Sequence, residues 1–117
     1  MRHQKKLKKL GLRKDHRTSL LRNLIGSLVI NGRIRTTDSR AKALASRFGH
    51  MMNMVQKNND REAIRGLPTF CNVIPAQKII VGELKKRYEK RPSGFTRITR
   101  IGMRKGDNAK LVLIELL

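Results

Sequence analysis

Acidic residues are scarce in this chain. Eight Asp and Glu stand against twenty-eight Lys and Arg, which leaves a formal charge of +20 over 117 residues. Such an imbalance opposes compaction by self-repulsion and calls for a polyanionic partner. Nucleic acid is the first candidate and an anionic membrane surface the second. The scarcity also removes most acid–base chemistry: Asp60 and Glu62 are the nearest carboxylates to a pair, and both suit the start of a helix. Cys71 is the single cysteine. It excludes an internal disulfide and fits a reducing compartment. With His3, His16 and His50 it makes no CxxC or HxxxH spacing, so no structural metal is expected. No apolar run reaches the roughly 18 residues of a spanning helix, and no apolar signal core follows the basic start, so neither a membrane span nor a secretion signal is expected.

Other absences narrow the class further. Ser19, Ser27, Ser39 and Ser46 lack a GxSxG context. The stretch Gly102-Met-Arg-Lys-Gly106 is half of a phosphate loop at most, and it reads as a turn because a second strand follows it, not a helix. No constellation remains for a catalytic site, a cofactor or a small-molecule substrate, so the chain is read as a non-enzyme. Aromatic residues are 3%: Phe48, Phe70, Tyr88 and Phe95. Modules that stack unpaired bases need exposed aromatic platforms, and few are available here. Zinc-finger, heptad-dimer and helix-turn-helix patterns are missing too. What is left is recognition of structured nucleic acid by shape and phosphate contacts.

The charge that is present is concentrated. From Met1 to Arg22 there are nine basic residues and one acid, Asp15. Residues 1–14 have too few apolar side chains to hold a fold alone, and reach about 45–50 Å when extended. They are expected to form a basic arm that orders on its partner, followed by one domain over 15–117. Arg2, His3, Lys5, Lys6, Lys8, Lys9, Arg13, Lys14, His16, Arg17 and Arg22 form the first candidate nucleic-acid-binding set. A charge run is usually a solvated tail, but here it adjoins surplus charge throughout the chain. His16 has a second reading, as a helix-terminus residue. Arg97, Arg100, Arg104 and Lys105 form a second candidate set, with ordinary exposed charge as the alternative. Arg97 and Arg100 cannot share one side of a regular strand without a bulge.

Periodicity supplies the body. Asp15 is a candidate N-cap for a helix over 16–30, with an apolar stripe at Leu20, Leu21, Leu24, Ile25, Leu28 and Val29, ended by Asn31-Gly32. A short strand follows over 33–36. Ala41, Leu44, Phe48, Met51 and Val55 step by three and four, which predicts a helix over 38–57 with His50 partly buried near its seam. A short helix over 60–65 and one over 73–88, with Pro75 in its first turn, come next. Phe95–Arg104 and Lys110–Leu117 read as two strands joined through Lys105-Gly106-Asp107-Asn108, where Gly106 should take positive φ and the turn could present Arg104 to a phosphate. The fold class is α+β, in the order α-β-α-α-α-β-β, with helices on one face of a small three-stranded mixed sheet.

Several blocks resemble one known family. MRH at the start, His16-Arg17 through LLRNLIGSL (20–28), IRTTDSRAKAL (34–44), RYEKRPSGFTRI (87–98), GMRKGDNA (102–109) and IEL (114–116) follow, in order, the pattern of the bacterial large-subunit ribosomal protein family numbered seventeen. The resemblance implies a structural constituent of the large subunit that binds 23S-type ribosomal RNA and touches neighbouring ribosomal proteins. It implies a cytoplasmic location within the ribosome, on the solvent side near the nascent-chain exit, with no cofactor. A free nucleic-acid-binding protein of nucleoid or regulatory type is the alternative that composition alone allows.

Overall fold

The chain begins its regular structure with a helix that needs no separate capping side chain. The structure is a computed structural model and describes His3 and residues 8–117. Helix α1 spans Lys14–Asn31 and buries Ile25, Gly26, Leu28 and Val29. Its N-cap is Arg13, without a side-chain cap bond, so Asp15 is not the cap. Asp15 lies instead in the first turn, where its negative charge still favours the helix dipole. Gly32 ends α1 in the left-handed conformation, φ 78°, and its N–H reaches the Leu28 carbonyl at 2.8 Å. A side chain there would meet the usual left-handed penalty, which Gly avoids.

Strand β1, Arg33–Thr37, leads directly into α2, Asp38–Lys57. Ala41, Leu44, Phe48, Met51 and Val55 are all buried along α2, as the seam predicts. Helix α3, Asp60–Gly66, is capped by Asn59, whose side chain accepts from the Glu62 N–H at 2.9 Å. Asp60 and Glu62 occupy its first turn. A single 3₁₀ turn, Leu67–Thr69, follows. Helix α4 occupies 74–87, and its middle, Ile80–Leu84, is wound as a π-helix between two α-helical stretches.

Strands β2, Thr96–Met103, and β3, Lys110–Leu116, complete a sheet of order β1-β3-β2. Both pairings are antiparallel, so the sheet is not mixed. The physical reason lies in which strand takes the centre. β3 is the most apolar strand and alone is paired on both sides. With β2 joined to it as a hairpin and β1 on its other edge, both outer strands run opposite to it. Val112 and Ile114 of β3 point into the core beside Ile34 and Ile98, and the helices cover that face. A bulge between Arg100 and Gly102 shifts the β2 register. It falls after Arg100, so Arg97 and Arg100 face opposite sides.

Phe48, Tyr88 and Phe95 close the core. The Phe48 and Phe95 rings pack edge-on at 6.4 Å, and Tyr88 lies 5.2 Å from Phe95. The Tyr88 hydroxyl donates to the Leu117 carbonyl at 2.9 Å, tying α4 to the end of β3. Burial pushes its phenol pKa up.

Candidate nucleic-acid interface

Two grooves lined by cations lie at different places along α2. The first runs between α1 and α2 and has a volume of about 500 Å³. Lys8, Lys14 and Arg17 line one side, and Lys42, Arg47 and His50 the other, with Thr18 and Ser46 between them. No carboxylate is in the lining. The spacing explains the assembly. Lys14, Arg17, Thr18 and Leu21 recur at three and four residues on α1, while Lys42, Ser46 and His50 recur every four on α2. Both sets lie away from the buried seams. Lys8 arrives through a turn in which Leu10 and Gly11 have φ of 56° and 67° and the Leu12 N–H bonds the Lys9 carbonyl at 3.0 Å. An Arg17 Nη donates to the Leu12 carbonyl at 3.4 Å and so holds this turn beside the groove. Lys42 is also tethered by Asp38 at 2.8 Å, and that hydrogen bond holds the Asp38 pKa below the usual range.

Arg47 sits at the inner edge of this groove. It donates to the Thr69 carbonyl at 3.0 Å and lies 4.5 Å above the Phe70 ring. Arg22 reaches the same carbonyl at 3.3 Å. Burial, and then the like charge of Arg22, lower the Arg47 pKa. Both arginines therefore fasten the turn after α3 and carry positive charge at the groove edge.

The second groove, about 450 Å³, lies where β1 meets the β2–β3 turn. Arg35, Arg40, Arg104 and Lys105 line it together with Thr36 and Thr37, and Met103 and Leu111 add apolar surface. Gly106 has φ 103° and Asn108 φ 56°, so the connection turns through two left-handed positions. Asp107 organises it. Its carboxylate accepts from Arg104 Nε at 3.1 Å, from an Arg104 Nη at 2.5 Å, and from the Ala109 N–H at 3.2 Å. These bonds, Arg104 first, hold the Asp107 pKa at about 2 and raise that of Arg104.

The candidate residues thus distribute unevenly. Lys8, Lys14 and Arg17 meet in the first groove, and Arg104 and Lys105 in the second. Arg13 pairs loosely with Asp15 at 3.7 Å and lines a shallow hollow with Lys14 and Arg22. Lys9, His3 and His16 are exposed. Arg97 lies on the sheet face away from the helices, 3.9 Å from Glu115. Arg100 lies near enough to Asp38 to help lower its pKa, after Lys42 and Lys110. Arg2, Lys5 and Lys6 lie outside the described residues. His50 is exposed and lines the groove, so it is not a partly buried seam residue. It follows Phe48 by two positions, about 200° around a helix, which turns it away from the core. Lys42, Arg47, Arg35 and Arg40 were not among the sequence candidates. The fourfold spacing of Lys42, Ser46 and His50 opposite the apolar seam carried the signal for the first of them. Among the described residues no group of His, Cys, Asp and Glu could hold a metal, and no helix is long and apolar enough to cross a membrane.

A family model described as Ribosomal protein L17 matches residues 20–117. The chain is 43% identical over 112 residues to a Carboxydothermus hydrogenoformans protein, covering 93% of this chain and 96% of that protein. It is 39% identical over 109 residues to one from Desulforudis audaxviator, with the same coverage of 93% and 96%. A Fusobacterium nucleatum protein is 38% identical over 116 residues, covering 99% of each chain. All three carry the name large ribosomal subunit protein bL17.

Proposed function

The chain belongs to the ribosomal protein L17 family, and from that premise we propose that it is held in the large subunit by binding 23S-type ribosomal RNA through its basic arm and the groove between α1 and α2. It is a structural constituent of the bacterial cytoplasmic ribosome and not an enzyme. The observation that carries the RNA reading is the first groove: five Lys and Arg side chains from the arm, α1 and α2 converge there with no carboxylate in the lining. Lys and Arg gathered this way neutralise phosphates and release their counterions, which gives affinity without sequence readout. The absence of exposed aromatic rings fits that mode, since Phe48, Tyr88 and Phe95 are buried and Phe70 lies under Arg47. We further propose that the arm acts as an appendage to the body, adding charge to the groove through residues such as Lys8. Neighbouring large-subunit proteins complete its surroundings.

Density-gradient fractionation of a lysate tests this reading. The protein should co-sediment with the large subunit in equimolar amount, and nuclease digestion of the RNA should release it. A protein found mainly in soluble or DNA-bound fractions would overturn the ribosomal assignment in favour of a free nucleic-acid-binding role.

A further inference from the structure

The groove at the hairpin end differs in chemistry from the groove between α1 and α2. We propose that it holds one unpaired nucleotide of the bound RNA, with the phosphate against Arg35, Arg40 and Lys105 and the base laid on the Arg104 guanidinium plane beside Met103. The inference rests on the RNA-binding reading above and names what this second place takes.

Arg104 carries the argument. A guanidinium that grips a phosphate does so with two parallel N–H bonds along one edge. Arg104 has two such edges, and here the Nε edge is already filled: Nε and one Nη both donate to Asp107, at 3.1 and 2.5 Å, which leaves only the end-on Nη pair for a phosphate. The flat faces of the group are not consumed by this pairing, and guanidinium planes stack on bases. Asp107 is itself fixed by the Ala109 N–H, and the turn is closed by the Arg104 N–H to the Ala109 carbonyl at 2.8 Å. The plane is therefore held in one orientation. About half of each side chain of the pair remains open to solvent, 51% and 53%, so a base can reach it. The ion pair takes one of the two phosphate-gripping edges of Arg104 and fixes its plane as a platform, in a chain whose aromatic rings are buried or covered.

The surroundings fit the other parts of a nucleotide. Arg35, Arg40 and Lys105 supply positive charge on the rim for a phosphate. Met103 is 53% exposed and lines the groove with Leu111. Apolar lining adds nothing to a duplex backbone, whereas a thioether makes favourable contacts with aromatic rings. The volume of about 450 Å³ lies in the range of small-ligand pockets, roughly 300–1,000 Å³.

Nuclear magnetic resonance on the full chain, labelled at backbone nitrogen and methionine methyl, tests the proposal. The probes are adenosine 5′-monophosphate and inorganic phosphate. The nucleotide should move the Lys105 and Gly106 amides and shift the Met103 methyl upfield through the ring current of the base. Phosphate should move the amides and leave the methyl in place. Arg104→Lys keeps the charge and removes the plane, so it should retain the amide shifts and lose the methyl shift. Asp107→Asn, which removes the charge that fixes the plane, should reduce the methyl shift as well. Identical responses to the two probes, or no response in the groove, would overturn the proposal, as would a full methyl shift in Arg104→Lys. Titrating the same sample with a duplex RNA that carries one unpaired, bulged nucleotide separates the two readings. Binding with a silent hairpin groove defeats this inference alone, and no RNA binding at all defeats both.

Discussion

Gly26 shows how closely single residues set the position of the interface. A Cβ added there would lie 2.7 Å from Val73 Cγ2 and 3.3 Å from Val73 Cβ, so α1 can approach the 71–73 segment only because position 26 has no side chain. Gly26→Ala should destabilise the protein by about 1–3 kcal/mol from overpacking, even though Ala favours a helix by about 1 kcal/mol over Gly. Chemical denaturation measures this, and adding Val73→Ala should restore much of the loss. A more stable Gly26→Ala would mean that the segment yields freely. Asp107 gives a second residue-scale test. Its folded pKa of about 2 lies below the ordinary 3.8 because of Arg104. The pair's contribution is therefore present above the ordinary value and is lost as pH falls through about 2. A carboxyl-carbon titration should give a midpoint near 2, moving towards 3.8 in Arg104→Ala. The sequence pointed to Gly106 as the left-handed turn residue and placed Asp107 in the turn, both local matters. It did not reveal that Asp107 would pair with the Nε edge of Arg104, because that depends on how the side chain folds back over the turn.

At the scale of elements, local periodicity and non-local packing divide the outcome. The α2 seam was legible because steps of three and four residues place one face inward wherever the helix docks. That Val112 and Ile114 would be the buried pair on β3 was not legible, because Leu111, Val112, Leu113 and Ile114 form an unbroken apolar run without alternation. Nor was the direction of β1, since nothing local to Arg33–Thr37 states which strand it will meet. The π-wound Ile80–Leu84 was also hidden. Ile80, Leu84 and Tyr88 keep a regular spacing of four, so no local pattern marks the change from α to π winding. Gln56 makes a contact that was hidden too: its amide donates to the Tyr88 carbonyl at 2.6 Å and the Arg91 carbonyl at 3.2 Å. A side chain from α2 thus ties together the C-cap of α4 and the turn beyond it. Gln56→Ala should cost about 1–3 kcal/mol by leaving the two carbonyls without that partner. Thermal melting checks it, and an unchanged melting temperature would show that water replaces the amide at no loss.

Across the whole molecule the charge is partitioned. Between residues 60 and 89 four of the eight acids offset six basic residues, whereas the stretch up to Lys57 carries only Asp15 and Asp38 against fifteen. The α3–α4 side is thus nearly balanced, and the excess lies on the arm, α1, α2 and the sheet. That partition was visible in the sequence. The convergence of Lys8 and Lys14 with Lys42 and Arg47 was not, because it needs the packing of α1 on α2. It gives a comparison of two exposed lysines. Lys42→Glu should weaken RNA binding on the order of tenfold or more, while Lys78→Glu on α4 should change it far less. Equal losses would mean that net charge matters and the groove does not.

The salt dependence of RNA affinity tests the central claim most directly. With about 6–10 phosphates neutralised, the affinity of the full chain for a structured RNA should fall roughly 10³–10⁵-fold between 50 and 200 mM salt, by analogy with duplex DNA. The slope should be shallower in a chain carrying Lys14→Gln, Arg17→Gln and Lys42→Gln together, because three of the groove cations are then gone. A shallow slope in the parent protein, or the same steep slope in both, would contradict the account, since the cations of the α1–α2 groove would then not be the ones that meet the phosphates.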